Sequence, residues 1–223
     1  MKRHSFTLVE LLTVIAVIAI LAGIAIPVVI GMQSKGKETA ARADMNAIKM
    51  ALTQFKVDYS VWPQVSPDSS LITKIGSSDA DLLMETPFSP DSSSRSKAEE
   101  AYDKIIQSLT NNTVVATTPT EPAAADRYGN TKKRRYLDPP AKPVLSKNST
   151  TAGYYKLDPW GRRYNIALDW NYNGKIDLSN SYKFAQGTEA NEILGSMLIY
   201  SYGTAEGEDD PDAFLYSWKT NEK

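Results

Sequence analysis

The chain has 223 residues, a formal charge of −1 and no cysteine. That balance points to no polyanionic partner such as nucleic acid, and the missing thiols exclude thiolate catalysis, disulfide staples and cysteine zinc sites, leaving either redox compartment open. The single histidine, His4, precedes the first apolar run, so a chain starting at Phe6 lacks the commonest general base and the soft metal ligands, and only hard, oxygen-ligated cations fit it.

From Leu11 to Met32 there are 22 residues without a charge. As a helix this run spans roughly 33 Å, about the thickness of a hydrocarbon core. Glu10 stands at its edge. A cleaved secretory signal has an apolar region of ~7–15 residues, shorter than this one, although Gly23-Ile24-Ala25 is a small-residue stretch of the cleavable kind. A plain signal anchor fits the length but leaves Glu10 unexplained, because a carboxylate near hydrocarbon is expensive and marks function. Lys2 and Arg3 on one side face Lys35 and Lys37 on the other, so flanking charge does not set orientation. The large polar domain behind the run places that domain outside the cytoplasm.

The stretch Lys2-Arg3-His4-Ser5-Phe6-Thr7-Leu8-Val9-Glu10-Leu11-Leu12 resembles the leader and mature start of type IV pilins and type II secretion pseudopilins. The resemblance implies a cut by prepilin peptidase between Ser5 and Phe6, with methylation of the new Phe6 amine. The family usually has Gly before the cut, where Ser5 stands. Glu10 falls at the family's conserved acid, four residues after Phe6, and Pro27 at its helix-interrupting proline. A charged amine and a carboxylate are costly apart and compensate together. Glu10 is therefore expected to pair with the Phe6 amine of a neighbouring copy and set axial register, the alternative being an acid snorkelling to the interface. Pro27 lacks an amide hydrogen and, with Gly23 and Gly31 nearby, marks where the helix would kink or loosen on assembly.

Ala41, Met45, Ile48, Leu52, Phe55 and Tyr59 follow a 4-3-4-3-4 spacing, one face of a helix. Arg42, Asn46, Lys49, Thr53 and Lys56 lie beside it. The helix should end before Trp62-Pro63, because the residue before a proline avoids the α region. The segment Asp58 to Pro63 also resembles the helix end of major pseudopilins. The stretch from 66 to 95 reads as loop, with a short helical turn at 79–85. Lys97 to Leu109 reads as an amphipathic helix with Ala101, Ile105 and Leu109 on one side. Asn111 to Asp126 reads as an exposed connection. Lys132-Lys133-Arg134-Arg135 reads as a solvated loop leading into a strand at 135–137, with an anion-binding surface as the alternative.

Asp158-Pro159-Trp160-Gly161-Arg162-Arg163-Tyr164 is a tight turn followed by a strand at 165–168, with Trp160 and Tyr164 as large anchors. It resembles the Asp-Pro-Trp-Gly-x-x-Tyr turn of major pseudopilins. Asp169, Asn171 and Asn173 alternate along the next loop, Gly174 allows a sharp turn, and Asp177 comes three later. With the carbonyl of Lys175, this matches the first nine positions of an EF-hand-like calcium loop. Position twelve is Asn180 rather than Glu, so the site is undercharged and its affinity should be weak, ~10⁻⁴–10⁻³ M. The alternative is an Asn-Gly turn closed by Asx bonds. A second calcium candidate is the acidic stretch from Glu206 through Asp209, Asp210 and Asp212 to Trp218, which resembles the terminal calcium loop of major pseudopilins. Ala205 and Glu206 replace the family's first Asp-Gly there, and a plain solvated acidic loop is the alternative.

The expected architecture is α+β, a long N-terminal helix with a transmembrane first half, packed on a small antiparallel sheet, as in pilins. Residues 1–5 are the expected leader, 6–32 the membrane and assembly helix, 33–62 its amphipathic second half, and 63–223 the extracytoplasmic domain. The resemblance implies a structural subunit stored in the bacterial inner membrane and polymerised into a periplasmic pseudopilus for protein export. Its partners would be further copies of itself, prepilin peptidase, an inner-membrane assembly platform and minor pseudopilins. A type IV pilin serving adhesion, motility or DNA uptake is the runner-up. A membrane-anchored carboxylate enzyme, such as a glycosidase, is the alternative from another class, though no spacing singles out an acid pair.

Overall fold

The computed structural model describes residues 8–65, 81–84, 97–114, 118, 120–123, 127–146, 152–178, 192–207 and 210–218. The chain divides into two units, Met1–Thr39 and Ala40–Lys223. Helix α1 covers Leu8–Tyr59, 52 residues, and is helical through Pro27. In the first unit its side chains from 8 to 26 are all exposed, with none of its most apolar window buried inside the molecule. The helix is long and apolar enough to cross a membrane, with a mean hydropathy of 2.9 in that window.

The second unit is built around the stripe that the spacing picks out. Ala41, Met45, Ile48, Leu52 and Phe55 are buried, and Tyr59 packs beside them. Each large member stabilises the fold by about 1.5–3 kcal/mol relative to exposure. The helix ends where Ser60 turns left-handed at φ 60°, its N–H donating to Lys56 O at 2.8 Å. Trp62 and Pro63 then turn into the domain. Helix α2, Lys97–Thr110, runs one residue beyond the expected end. It buries Ala101, Ile105 and Leu109 together with Tyr102 and Ile106. Asn111, at φ 50°, closes it in the αL conformation that Asn tolerates.

The strands are β1 (Leu82–Met84), β2 (Asn165–Leu168), β3 (Lys175–Asp177), β4 (Glu192–Leu194), β5 (Met197–Ser201) and β6 (Leu215–Tyr216). β1, β2, β5 and β6 form one antiparallel sheet in that order, and β3 and β4 form a second. In the larger sheet Leu82, Met84, Ile166, Leu168, Met197, Ile199 and Leu215 join the core of α1 and α2. The other face, Leu83, Ala167, Leu198, Tyr200 and Tyr216, is covered by Ile176, Leu178, Tyr202 and Phe214. The α+β expectation therefore holds, and so does the strand at 165–168.

Three local expectations do not hold. Leu82–Met84 is a strand rather than part of a helical turn, because the three side chains fill both faces of the sheet edge. Residues 135–137 form no strand: the amides of Tyr136 and Leu137 both donate to Leu109 O, capping α2 instead. The connection after α2 is not simply exposed, since Val114 is 1% exposed and Asn112 is buried.

Candidate functional site

Glu10 lies in the first turn of the described part of α1, exposed among exposed Leu8, Val9, Leu11 and Leu12. Thr13 Oγ1 donates to the Glu10 carbonyl at 3.0 Å, the local back-bond of a helical threonine. Ser5 and Phe6 lie outside the described residues, as does the Pro27 side chain. The molecule therefore presents a bare apolar helix with one acid near its start.

The Asp-Pro-Trp-Gly turn is pinned on several sides by hydrogen bonds. Asp158 Oδ1 accepts the amides of Trp160 (3.0 Å) and Arg162 (2.8 Å), and its Oδ2 accepts the Ser201 hydroxyl of β5 (2.7 Å). Burial pushes the Asp158 pKa up, against the pull of these donors. Gly161, at φ 86°, supplies the left-handed residue of the turn. Tyr164 is fully buried, whereas Trp160 is only half-buried against the core. Tyr164 OH donates to Asp44 Oδ2 of α1 at 3.3 Å, and Lys156 Nζ pairs with Asp44 Oδ1 at 2.6 Å.

Arg163, which the sequence reading passed over as a variable motif position, is the hub beneath this turn. It is 2% exposed and clamps Asp103 of α2 through two bonds, Nε–Oδ1 at 2.9 Å and Nη2–Oδ2 at 2.8 Å. Its Nη1 reaches Glu99 at 2.8 Å and the Ser146 hydroxyl at 3.2 Å, and the guanidinium stacks 4.6 Å from the Tyr155 ring centre. Burial disfavours its charge, but Asp103 and Glu99 outweigh it and the pKa rises. No local signal marks such a residue, because its partners lie 60 and 64 positions away.

The loop after β2 brings Asp169, Asn171 and Asn173 together around their own backbone. The Asp169 carboxylate accepts the amides of Asn173 and Gly174, both at 3.0 Å. Asn171 Oδ1 accepts Asn173 N–H, and Asn173 Oδ1 accepts Lys175 N–H. The Lys175 ammonium is held by Glu192 at 2.8 Å, which raises its pKa. Asp81, ahead of β1, completes the loop by accepting the amides of Trp170 (3.2 Å) and Asp177 (2.8 Å). Burial, and then the Asp169 and Asp177 charges, hold the Asp81 pKa up despite those bonds. The end of α1 plugs into the same loop: Trp62 Nε1 donates to Asp169 O at 2.7 Å, and the Trp62 amide donates to the Tyr172 hydroxyl oxygen at 3.2 Å. Among the described residues no three His, Cys, Asp or Glu side chains converge on a metal-sized site. In the acidic C-terminal stretch Glu206, Asp210 and Asp212 are exposed, and Asp209 lies outside the described residues.

The basic run is largely consumed internally. Arg134 Nη1 donates to Asp58 Oδ2 at 2.7 Å, beside Tyr136 OH at 2.6 Å, and Lys132 Nζ donates to the Asp58 carbonyl. The Tyr136 bond, followed by Arg134, draws the Asp58 pKa below its ordinary value. Lys133 pairs with Glu121 at 2.9 Å. This run caps the C-terminal end of α1, where cations are favoured by the helix dipole.

Residues 1–26 match the family model described as the prokaryotic N-terminal methylation motif. The chain is 30% identical over 73 residues to type II secretion system core protein G of Pseudomonas aeruginosa, covering 33% of this chain and 51% of that protein. It is 34% identical over 74 residues to the Vibrio cholerae protein of the same name, again 33% and 51%. The type IV major pilin protein PilA of Myxococcus xanthus is 41% identical over 54 residues, 24% of each chain. The chain thus spans about half the length of the core G proteins that it matches. No solved structure matches it significantly. Its N-terminal segment is pilin-like, as the leader, Glu10 and Pro27 imply.

Proposed function

We propose that this chain is a structural subunit of a type II secretion pseudopilus, stored in the inner membrane and polymerised to drive protein export. The observation that carries the reading is a solvent-bare apolar helix with a single acid at its start, in a segment that matches the methylation motif. Such a helix is stable in lipid as a monomer and in a fibre as a bundle, but not alone in water. Cleavage between Ser5 and Phe6 by prepilin peptidase would create an amine that pairs with Glu10 of an adjacent copy. The globular unit then lies on the periplasmic side, and the assembly platform and minor pseudopilins supply initiation and force. The similarity to core G proteins supports secretion over a pilus. The match to a major pilin supports the type IV pilin reading at a coarser level. The relatives are named for a secretion system and a pilus rather than for a reaction, which supports a non-catalytic role.

The loop at 169–177 offers only oxygen donors, and each Asp169 carboxylate oxygen retains a lone pair beyond the amide it accepts. Asp169, Asn171, Asn173, the Lys175 carbonyl and Asp177 would hold Ca²⁺ there as a weak structural ion. Asp209, Asp210 and Asp212 are the alternative ligands.

The deciding experiment is Glu10→Leu in the full chain. Membrane insertion should stay intact and filaments should disappear, with N-terminal mass spectrometry of the wild type finding methylated Phe6. Normal filament yield from the variant, or an intact Met1 in the native host, overturns the reading.

A further inference from the structure

In the loop between β2 and β3, Asn173 precedes Gly174, and no other asparagine of the chain precedes a glycine. An asparagine side-chain carbonyl carbon and the next residue's amide nitrogen can close a ring through the intervening main chain. Glycine puts no side chain in the way of that bond and lets the backbone turn freely toward it. Gly174, at φ 83°, has nothing within 4 Å of where a Cβ would stand. Both residues are exposed to water.

The hydrogen bonds of the loop arrange this pair for reaction. Gly174 N–H donates to Asp169 Oδ2 at 3.0 Å, so the nitrogen that would attack aims its proton at a carboxylate within the reach of a general base. Asn173 Oδ1 accepts the Lys175 N–H at 3.0 Å, a donor placed on the oxygen where negative charge would develop. The Gly174 carbonyl is held by the Gly195 amide at 3.0 Å, and Asn173 N–H by Asp169 Oδ1 at 3.0 Å, which fixes the main chain on either side of the reacting atoms. Asn130 shows the contrasting case. It is buried, a threonine follows it, and its side chain is locked by bonds to Ser108, Arg134 and Tyr59.

We propose that Asn173 is a self-modifying site, which the folded chain converts to aspartate or isoaspartate with Asp169 as base and water as co-reactant. Asp169 Oδ2 takes the Gly174 amide proton while the nitrogen bonds to the Asn173 side-chain carbonyl carbon. The bond from that carbon to Nδ2 breaks, and the proton leaves with the nitrogen as ammonia. Water then opens the cyclic imide at either of its carbonyls. One opening leaves aspartate and adds a carboxylate beside those of Asp81, Asp169 and Asp177. The other reroutes the main chain through the side chain and lengthens it by one carbon, directly ahead of β3, where Lys175 pairs with Leu194. The conversion does not depend on whether the chain builds filaments.

The test is incubation of the full-length chain in detergent micelles and heavy-oxygen water at neutral pH, followed by tryptic digestion in ordinary water, so that label marks only conversion before digestion. The tryptic peptide 164–175 carries Asn165, Asn171 and Asn173 together, and label should enter at 173 alone. Chromatography of that peptide should resolve aspartyl and isoaspartyl forms. Conversion in the folded wild type should be at least about tenfold faster than in the same chain in urea, the low side of what a positioned base contributes. Asp169→Asn should slow it by a similar factor while tryptophan-detected melting still reports a folded unit. The comparison in urea needs no variant and decides the matter alone if Asp169→Asn does not fold. No label at 173, a wild type that converts as fast or faster when unfolded, or a folded Asp169→Asn variant that converts at the wild-type rate overturns the proposal.

Discussion

Arg163→Met is the sharpest test of how the second unit is held together. The substitution removes one guanidinium and strands two carboxylates, Glu99 and Asp103, each 2% exposed. Leaving a buried charge without its partner costs about 3–5 kcal/mol. The bidentate clamp on Asp103 and the third bond to Glu99 place this site at the upper end of that range. For a unit of this size, each kcal/mol lowers Tm by about 2–4 °C, so a fall of roughly 10–20 °C is expected. All four tryptophans of the chain lie between positions 62 and 218, so their fluorescence reads this unit and not the apolar part of α1. Arg163→Lys keeps the charge but loses the fork and should lie between the two proteins. Adding Glu99→Leu and Asp103→Leu to Arg163→Met should recover most of the loss, because a whole buried ionic cluster is replaceable by apolar groups where a broken one is not. A drop of under about 2 °C for Arg163→Met would refute the assignment of the hub.

Other changes separate the remaining contacts. Trp62→Phe removes the indole donor from Asp169 O and should cost about 1–3 kcal/mol, read from the denaturant midpoint; an unchanged midpoint would mean that the helix end is held by packing alone. The Asp58 carboxylate has its pKa drawn below 3.8 by Tyr136 and Arg134, so its contribution is present above that pH and is lost as pH falls through the folded value. Wild type should therefore exceed Asp58→Asn in Tm at pH 7, and the gap should close on acidification below 3.8; a gap constant with pH contradicts the ion pair. Calcium at about 10 mM should raise Tm by a few degrees if the affinity is ~10⁻³ M, since that ratio is worth about 1.4 kcal/mol. Asp169→Asn should abolish the response if the ion sits at 169–177, and Asp210→Asn with Asp212→Asn should abolish it if the ion sits near the C-terminus. No response in wild type removes both.

What the sequence revealed and what it concealed divide along the range of the interactions. The stripe Ala41–Tyr59 was legible because a helix repeats its burial within a few residues, and α2 was legible for the same reason. The strand at 165–168 followed from the turn ahead of it. Strand β1 was not legible: three apolar residues in a sheet buried on both faces show no alternation. The same holds for β5, where all five residues are buried. The basic run at 132–135 is the exposed loop that its charge suggested, but its pairing with Asp58, 76 positions away from Arg134, left no local signal.

The two readings of the Asp169 loop are less opposed than they looked. Asx bonds and a calcium loop use the same residue types, because both need short oxygen-bearing side chains that bend the backbone around a point. Here the Asx bonds are formed, and Asp81 adds two more from a segment 88 residues before Asp169, an acid that no local motif could have nominated. Its desolvation and its repulsion by Asp169 and Asp177 place three negative charges around one half-buried loop whose own lysine, Lys175, is engaged by Glu192. A divalent ion would relieve that repulsion, and protonating Asp81 would relieve part of it as well. Because burial raises the Asp81 pKa, its favourable term is present below the ordinary carboxylate value and is lost as pH rises through the folded one. Calcium should therefore stabilise the loop more at pH 7 than near pH 4, and Asp81→Asn should narrow that difference. An equal calcium response at both pH values would show that the ion, if bound, does not feel this carboxylate.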